Sequence, residues 1–159
     1  MFAVGFGISN REKKIRVISK SDPNHGLILA AVHFEWVIKR TILKLGQSPT
    51  ARLRGELEGI YKLGSPDNKK DYRSIWKREV ASRFKNAQLG IVLGNLHTLE
   101  SKTLKIRGQV IHGNGTVPKA NALDAINEFL KASKKLYDFA SKNGEDLDEI
   151  LRRRIKARD

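Results

Sequence analysis

The chain has no cysteine. A disulfide framework and a thiolate zinc site are both excluded, and a reducing, cytoplasmic setting is the expectation. No apolar run approaches the roughly 20 residues needed to cross a bilayer. The apolar stretch Phe2–Ile8 is too short for a signal-peptide core and has no positive charge before it. Internal repeats and low-complexity segments are absent, and no shift in composition marks a domain boundary. No histidine has a second histidine or a carboxylate four positions on, so a helical metal site is not expected, and no cofactor is. Proline is scarce. Three of the 4 prolines, Pro23, Pro49 and Pro118, stand where helices are expected to begin, and Pro66 lies in a turn-rich loop.

Acidic residues are outnumbered. Lys and Arg total 31 against 17 Asp and Glu, a net charge of +14 and a pI near 10.2. An excess of this size points to a polyanionic partner. Nucleic acid is favoured over an anionic membrane surface. The basic residues are spread along the chain, and no basic helix combines a strong apolar face with an aromatic edge.

What is present is helical periodicity. Leu27, Ala31, Phe34, Ile38, Ile42 and Leu45 recur at steps of three and four, which predicts a helix over 24–45. Ser21 or Asp22 would cap it, and Gly46 would close it in a left-handed conformation. A second helix is expected over 49–61, with Ser48 as its cap, and a third over 69–84 with Tyr72, Ile75, Trp76, Val80 and Phe84 inward. Thr116 would cap a further helix over 118–142, ended by Asn143-Gly144. Residues 146–158 are acidic at the start and basic at the end, which suits the dipole of a short last helix. Ile15 and Val17 alternate as in a strand, so residues 1–21 are expected to form an N-terminal arm or a short hairpin. The expected fold is an all-α, single-domain bundle of five or six helices over 22–159.

The stretch 89–115 would organise that bundle. Its apolar stripe runs Leu89, Leu93, Leu96, Leu99, Ile106, Val110, with Thr103 standing in it, and Gly113, Asn114 and Gly115 stop it. Near its end lies Arg107-Gly-Gln-Val-Ile-His112-Gly113. Arginine and histidine near a helix terminus, among glycines, are the candidates for chemistry. Arg107 could instead pair with Glu35 or Glu100, and His112 could simply complement the helix C-terminus.

This motif resembles that of the HEPN family. Those domains are small all-α bundles marked by Arg, four to six residues, then His and often Gly, near the end of a long helix. The likeness covers 89–142 through the motif and 23–84 through architecture. It departs at Gly108, where the family commonly has a polar residue such as Asn; the adjacent Gln109 is the residue that could compensate. The resemblance implies a homodimeric, metal-independent endoribonuclease whose two motifs face each other across a cleft. Toxin–antitoxin and phage-defence roles are common among stand-alone members. It equally allows a catalytically weak module that dimerises and docks an antitoxin or nucleotidyltransferase partner.

The residues make such chemistry intelligible. Cleavage by the RNA's own 2′-hydroxyl needs a base, an acid and positive charge on the phosphate. Histidine can serve as either of the first two, and arginine supplies the third. Five residues at about 100° each place Arg107 and His112 about 140° apart on an ideal helix. They meet only if the helix distorts near Gly108 or ends, or if each meets its counterpart on a second subunit. Glu35 could orient either residue, and Asn114 lies in a glycine turn similar to phosphate-binding ones. Arg152, Arg153, Arg154 and Lys156 form a basic cluster suited to RNA phosphates. Trp36 and Trp76 are expected in the core rather than under bases.

Overall fold

The structure, a computed structural model, describes residues 7–58, 60, 71–113, 115 and 117–158. Among them every regular element is helical: α1 (Ile8–Ser21), α2 (Pro23–Leu45), α3 (Thr50–Leu57), α4 (Tyr72–Trp76), α5 (Leu89–Leu93), α6 (Leu96–Thr98), α7 (Leu104–Ile111) and α8 (Lys119–Lys142). Two π-helical turns, Lys77–Ala81 and Leu99–Thr103, continue α4 and join α6 to α7. Joined α and π turns make seven continuous helical stretches among the described residues, rather than five or six.

The chain falls into two compact units, residues 1–34 with 97–134 and residues 35–96 with 135–159. Their borders lie inside α2, α6 and α8, where helix leaves no compositional mark. In the first unit α1 buries Ile8 and Ile15, seven residues apart and so on one helical face, while Val17 is 59% exposed. The hairpin expected there is therefore a helix over 8–21; residues 1–6 of the expected arm lie outside the described residues. Leu27, Phe34, Leu99, Ile126 and Phe129 complete this core, with the Phe34 and Phe129 rings 5.7 Å apart.

His33 lies fully buried in the same unit, 4.0 Å from Glu12. Burial, and next the charge of Arg11, lower its pKa from 6.5 to about 4. It is neutral at pH 7. The unfolded chain takes up its proton first as pH falls, so this contribution is complete above pH 6.5 and lost by about pH 4. Between pH 7 and 4 the stability of the wild type relative to His33→Gln is expected to fall by about 3 kcal/mol, from the difference between the two pKa values. Denaturant titrations of both proteins check this, and parallel pH profiles would refute it.

In the second unit Trp76 is the largest buried side chain. Its indole N–H donates to the Ala87 carbonyl at 2.6 Å and its ring lies 5.7 Å from Phe139, so it is core, as expected. Tyr72 donates its hydroxyl to the Ile60 carbonyl at 2.7 Å. Gly46 closes α2, but not in a left-handed conformation, since positive φ among glycines occurs at Gly94, Gly113, Gly115 and Gly144. Space demands glycine here. A Cβ would stand 2.5 Å from the Ile42 carbonyl oxygen and 2.8 Å from a Leu53 methyl.

The turn after Gly46 is held from across the unit. Glu79 is fully buried. It accepts the N–H groups of Gln47 (3.1 Å) and Ser48 (2.8 Å), the Ser48 hydroxyl (2.8 Å) and Arg78 Nε (2.8 Å). Ser48 therefore spends its hydroxyl on Glu79 and does not cap α3, whose N-cap position is Pro49. Burial raises the Glu79 pKa, but the hydrogen bonds from Ser48 and Arg78 outweigh it and hold the carboxyl below the usual range.

Candidate functional site

The stretch 89–115 is not one helix. Gly94, at φ 73°, ends α5, donating its N–H to the Gly90 carbonyl at 2.9 Å. Lys135 donates to the Leu93 carbonyl at 2.6 Å, capping the same end. Helix resumes at Leu96, passes through the π turn with Thr103 buried, and becomes α7. A wide turn inserts one extra residue per bond ring and rotates the residues beyond it about the helix axis. The apolar stripe thus does not run straight into the motif: Leu99 is buried, whereas Ile106 and Val110 are only half-buried.

Arg107 lies half-buried in the middle of α7. Gly108 and Gln109 follow in regular helix, so Gly108 introduces no distortion. His112 is exposed and ends the helix: its N–H still reaches the Gly108 carbonyl at 3.0 Å, but its φ of −88° and ψ of 3° have left the α region. Gly113 turns the chain at φ 65° and Gly115 follows at φ 126°. A Cβ added at Gly108, Gly113 or Gly115 would meet nothing within 4 Å. Positive φ explains glycine at the last two; nothing in the structure explains it at Gly108. Since α7 is regular from Arg107 to Ile111, the two motif residues point about 140° apart within one chain.

Gln109 is exposed on α7, and Asn114 and Thr116 lie outside the described residues. Glu35 is half-buried on α2. His97 and His25 are exposed. Among the described residues no cluster of His, Asp or Glu has the arrangement of a metal site, and no helix is long and apolar enough to cross a membrane.

The basic cluster belongs to the second unit and is divided in role. The helix expected over 146–158 is absent; the chain there is irregular. Arg154 is not a free cation. Its Nε donates to the Ser48 carbonyl at 2.7 Å and its terminal nitrogens reach the Leu43 carbonyl at 3.5 Å. Its backbone exchanges 2.9 Å hydrogen bonds with Thr50 in both directions. Arg158 donates to the Lys44 carbonyl at 2.9 Å, and Arg83 to that of Leu45. Three guanidinium groups thus cap the last carbonyls of α2. Dipole complementarity does act here, but on α2 and across the fold rather than along a helix of the basic segment's own. Burial and neighbouring arginines lower the pKa of Arg154 and Arg83. Arg152, Arg153 and Lys156 are exposed.

Sequence reading missed Glu79 and this arginine cap. The signal for both is weak, because their partners are backbone groups that no side-chain pattern marks. In comparisons with protein-family models, curated proteins and solved structures, none matches the chain.

Proposed function

We propose that the chain is a metal-independent endoribonuclease of the HEPN type, acting as a homodimer in which Arg107 of one subunit works with His112 of the other. The observation that carries this reading is the placement of His112. It stands exposed at the end of α7, beside a glycine turn, and faces about 140° away from Arg107. Residues on different sides of one helix suit a site completed by a second copy across a two-fold axis. The 2′-hydroxyl attacks the adjacent phosphorus and gives its proton to a base. The bond to the 5′-oxygen breaks, and that oxygen receives a proton. His112 takes the 2′-hydroxyl proton as the base and water supplies the proton to the leaving 5′-oxygen, while Arg107 of the other subunit holds the phosphoryl oxygens as they gain charge. The net charge of +14 favours RNA encounter.

Mixing two inactive variants tests the arrangement. Arg107→Ala and His112→Ala, each inactive alone, are expected to recover about a quarter of wild-type cleavage when refolded together, because half the dimers are mixed and each has one intact site. No recovery would place both residues in one chain's site. Cleavage of a substrate carrying a 2′-deoxy sugar at the scissile position would overturn the mechanism itself, as would loss of activity with a chelator.

Gly108 favours a second reading. It leaves open space where the family commonly has a polar side chain. A catalytically weak module docking an antitoxin or nucleotidyltransferase partner would show a stable complex with that partner and no cleavage of any RNA.

A further inference from the structure

The arginine cap of α2 has a second side. A cavity of about 500 Å³ in the second unit is lined by Leu43, Lys44, Gly144, Glu145, Glu149 and Leu151 together with Arg152, Arg153, Arg154 and Arg158. Five lining residues are cationic and two are acidic, a local excess of three positive charges. The helix end offsets only Arg154 and Arg158, which meet the Leu43 and Lys44 carbonyls. Glu145 stands 3.8 Å from Lys44 and 3.5 Å from Arg158, at ion-pair rather than hydrogen-bond distance from both. Arg152 and Arg153 are exposed and make no hydrogen bond or ion pair among the described residues. Two guanidinium forks are therefore available beside three fixed cations.

The lining also says what is not recognised. It contains no aromatic side chain, so there is no platform for a base. Its Gly144 and Glu145 N–H groups are occupied by the Ser141 and Ala140 carbonyls, both at 3.0 Å. Charge and guanidinium geometry are the means of recognition that remain. The volume falls within the usual range of ligand pockets, about 300–1,000 Å³.

We infer that this cavity binds a linear oligophosphate group, held by Arg152 and Arg153 at its mouth and by the field of Lys44, Arg154 and Arg158 within. The site lies in the second unit, whereas Arg107 and His112 lie in the first, and it stands or falls apart from the ribonuclease reading. The group can be free oligophosphate or the 5′-triphosphate end of an RNA.

Calorimetric titration of the full chain with tripolyphosphate tests the site. Arg152→Ala/Arg153→Ala is expected to weaken binding roughly tenfold or more, because two charge-assisted contacts are lost. Lys13→Ala/Lys20→Ala removes the same charge from exposed positions on α1 and is expected to change it little. Glu145→Gln is expected to tighten binding. Equal weakening by the two double variants would show a diffuse charge effect and overturn the inference, as would absence of binding at low salt. Competition separates the sources. An RNA with a 5′-triphosphate that displaces tripolyphosphate better than its 5′-hydroxyl counterpart assigns the RNA end. Equal competition by the two RNAs, with tripolyphosphate still sensitive to the arginine pair, assigns the free ligand.

Discussion

His112→Ala is expected to lower RNA cleavage by about 10²–10⁴-fold, the usual contribution of a positioned proton-transfer group. Its stability should stay within about 0.5 kcal/mol of the wild type, since the side chain is exposed and makes no hydrogen bond of its own among the described residues. Only its backbone N–H takes part in the fold, on the Gly108 carbonyl, and alanine keeps that bond. The two halves of the expectation are measured separately, by single-turnover cleavage and by urea unfolding. Undiminished cleavage would remove His112 from the mechanism. A large fall in stability would make it a structural cap instead.

The largest effect on stability is expected at Glu79. Replacing it by alanine leaves the buried hydroxyl and N–H of Ser48 and the part-buried N–H of Gln47 without their acceptor, while Arg78 keeps its ion pair with Glu56. Each buried donor left without an acceptor costs about 1–3 kcal/mol, so the loss should total several kcal/mol. Glu79→Gln keeps an acceptor oxygen and should cost clearly less. The carboxyl pKa is held below its ordinary 4.5, so the charge contributes its full stability above that value. That contribution is lost as pH falls through the lowered folded value. The difference between wild type and the glutamine variant should therefore shrink in acid. A cost below about 1 kcal/mol for the alanine variant would mean that the turn after α2 is held by packing alone.

The elements that can be read in advance are those whose signal is carried by their own side chains. The expected helix over 24–45 is α2 at Pro23–Leu45, and that over 118–142 is α8 at Lys119–Lys142. Both have long apolar stripes and unambiguous stops. Asp22 caps α2 as expected, accepting the His25 N–H at 3.0 Å. Expectation and structure part where the pattern permits two answers. Leu93 and Leu96 keep a three-residue step whether or not the helix continues, so the periodicity does not reveal the break that Gly94 and Lys135 impose. Ile15 and Val17 alternate like a strand, but the spacing that decides is Ile8 to Ile15. At 146–158 the charge gradient is legible and its target is not, since the carbonyls it serves lie at the end of α2.

For the motif, the sequence shows both residues and their helix. It cannot show that the helix stays regular through Gly108, and that regularity is what turns a one-chain site into an expectation of two chains.

The cap of α2 has a consequence for how the protein is made. The carbonyls of Leu43 and Lys44 wait for guanidinium groups 111 and 114 residues further along the chain. At about 5–20 residues per second, a ribosome needs several seconds or more to supply them. During that interval the C-terminal end of α2 can be written but not sealed. Nascent chains stalled before residue 154 should therefore carry a frayed helix end that water or a chaperone must cover. The order of synthesis, and not only the final contacts, then decides when the second unit becomes resistant to a protease.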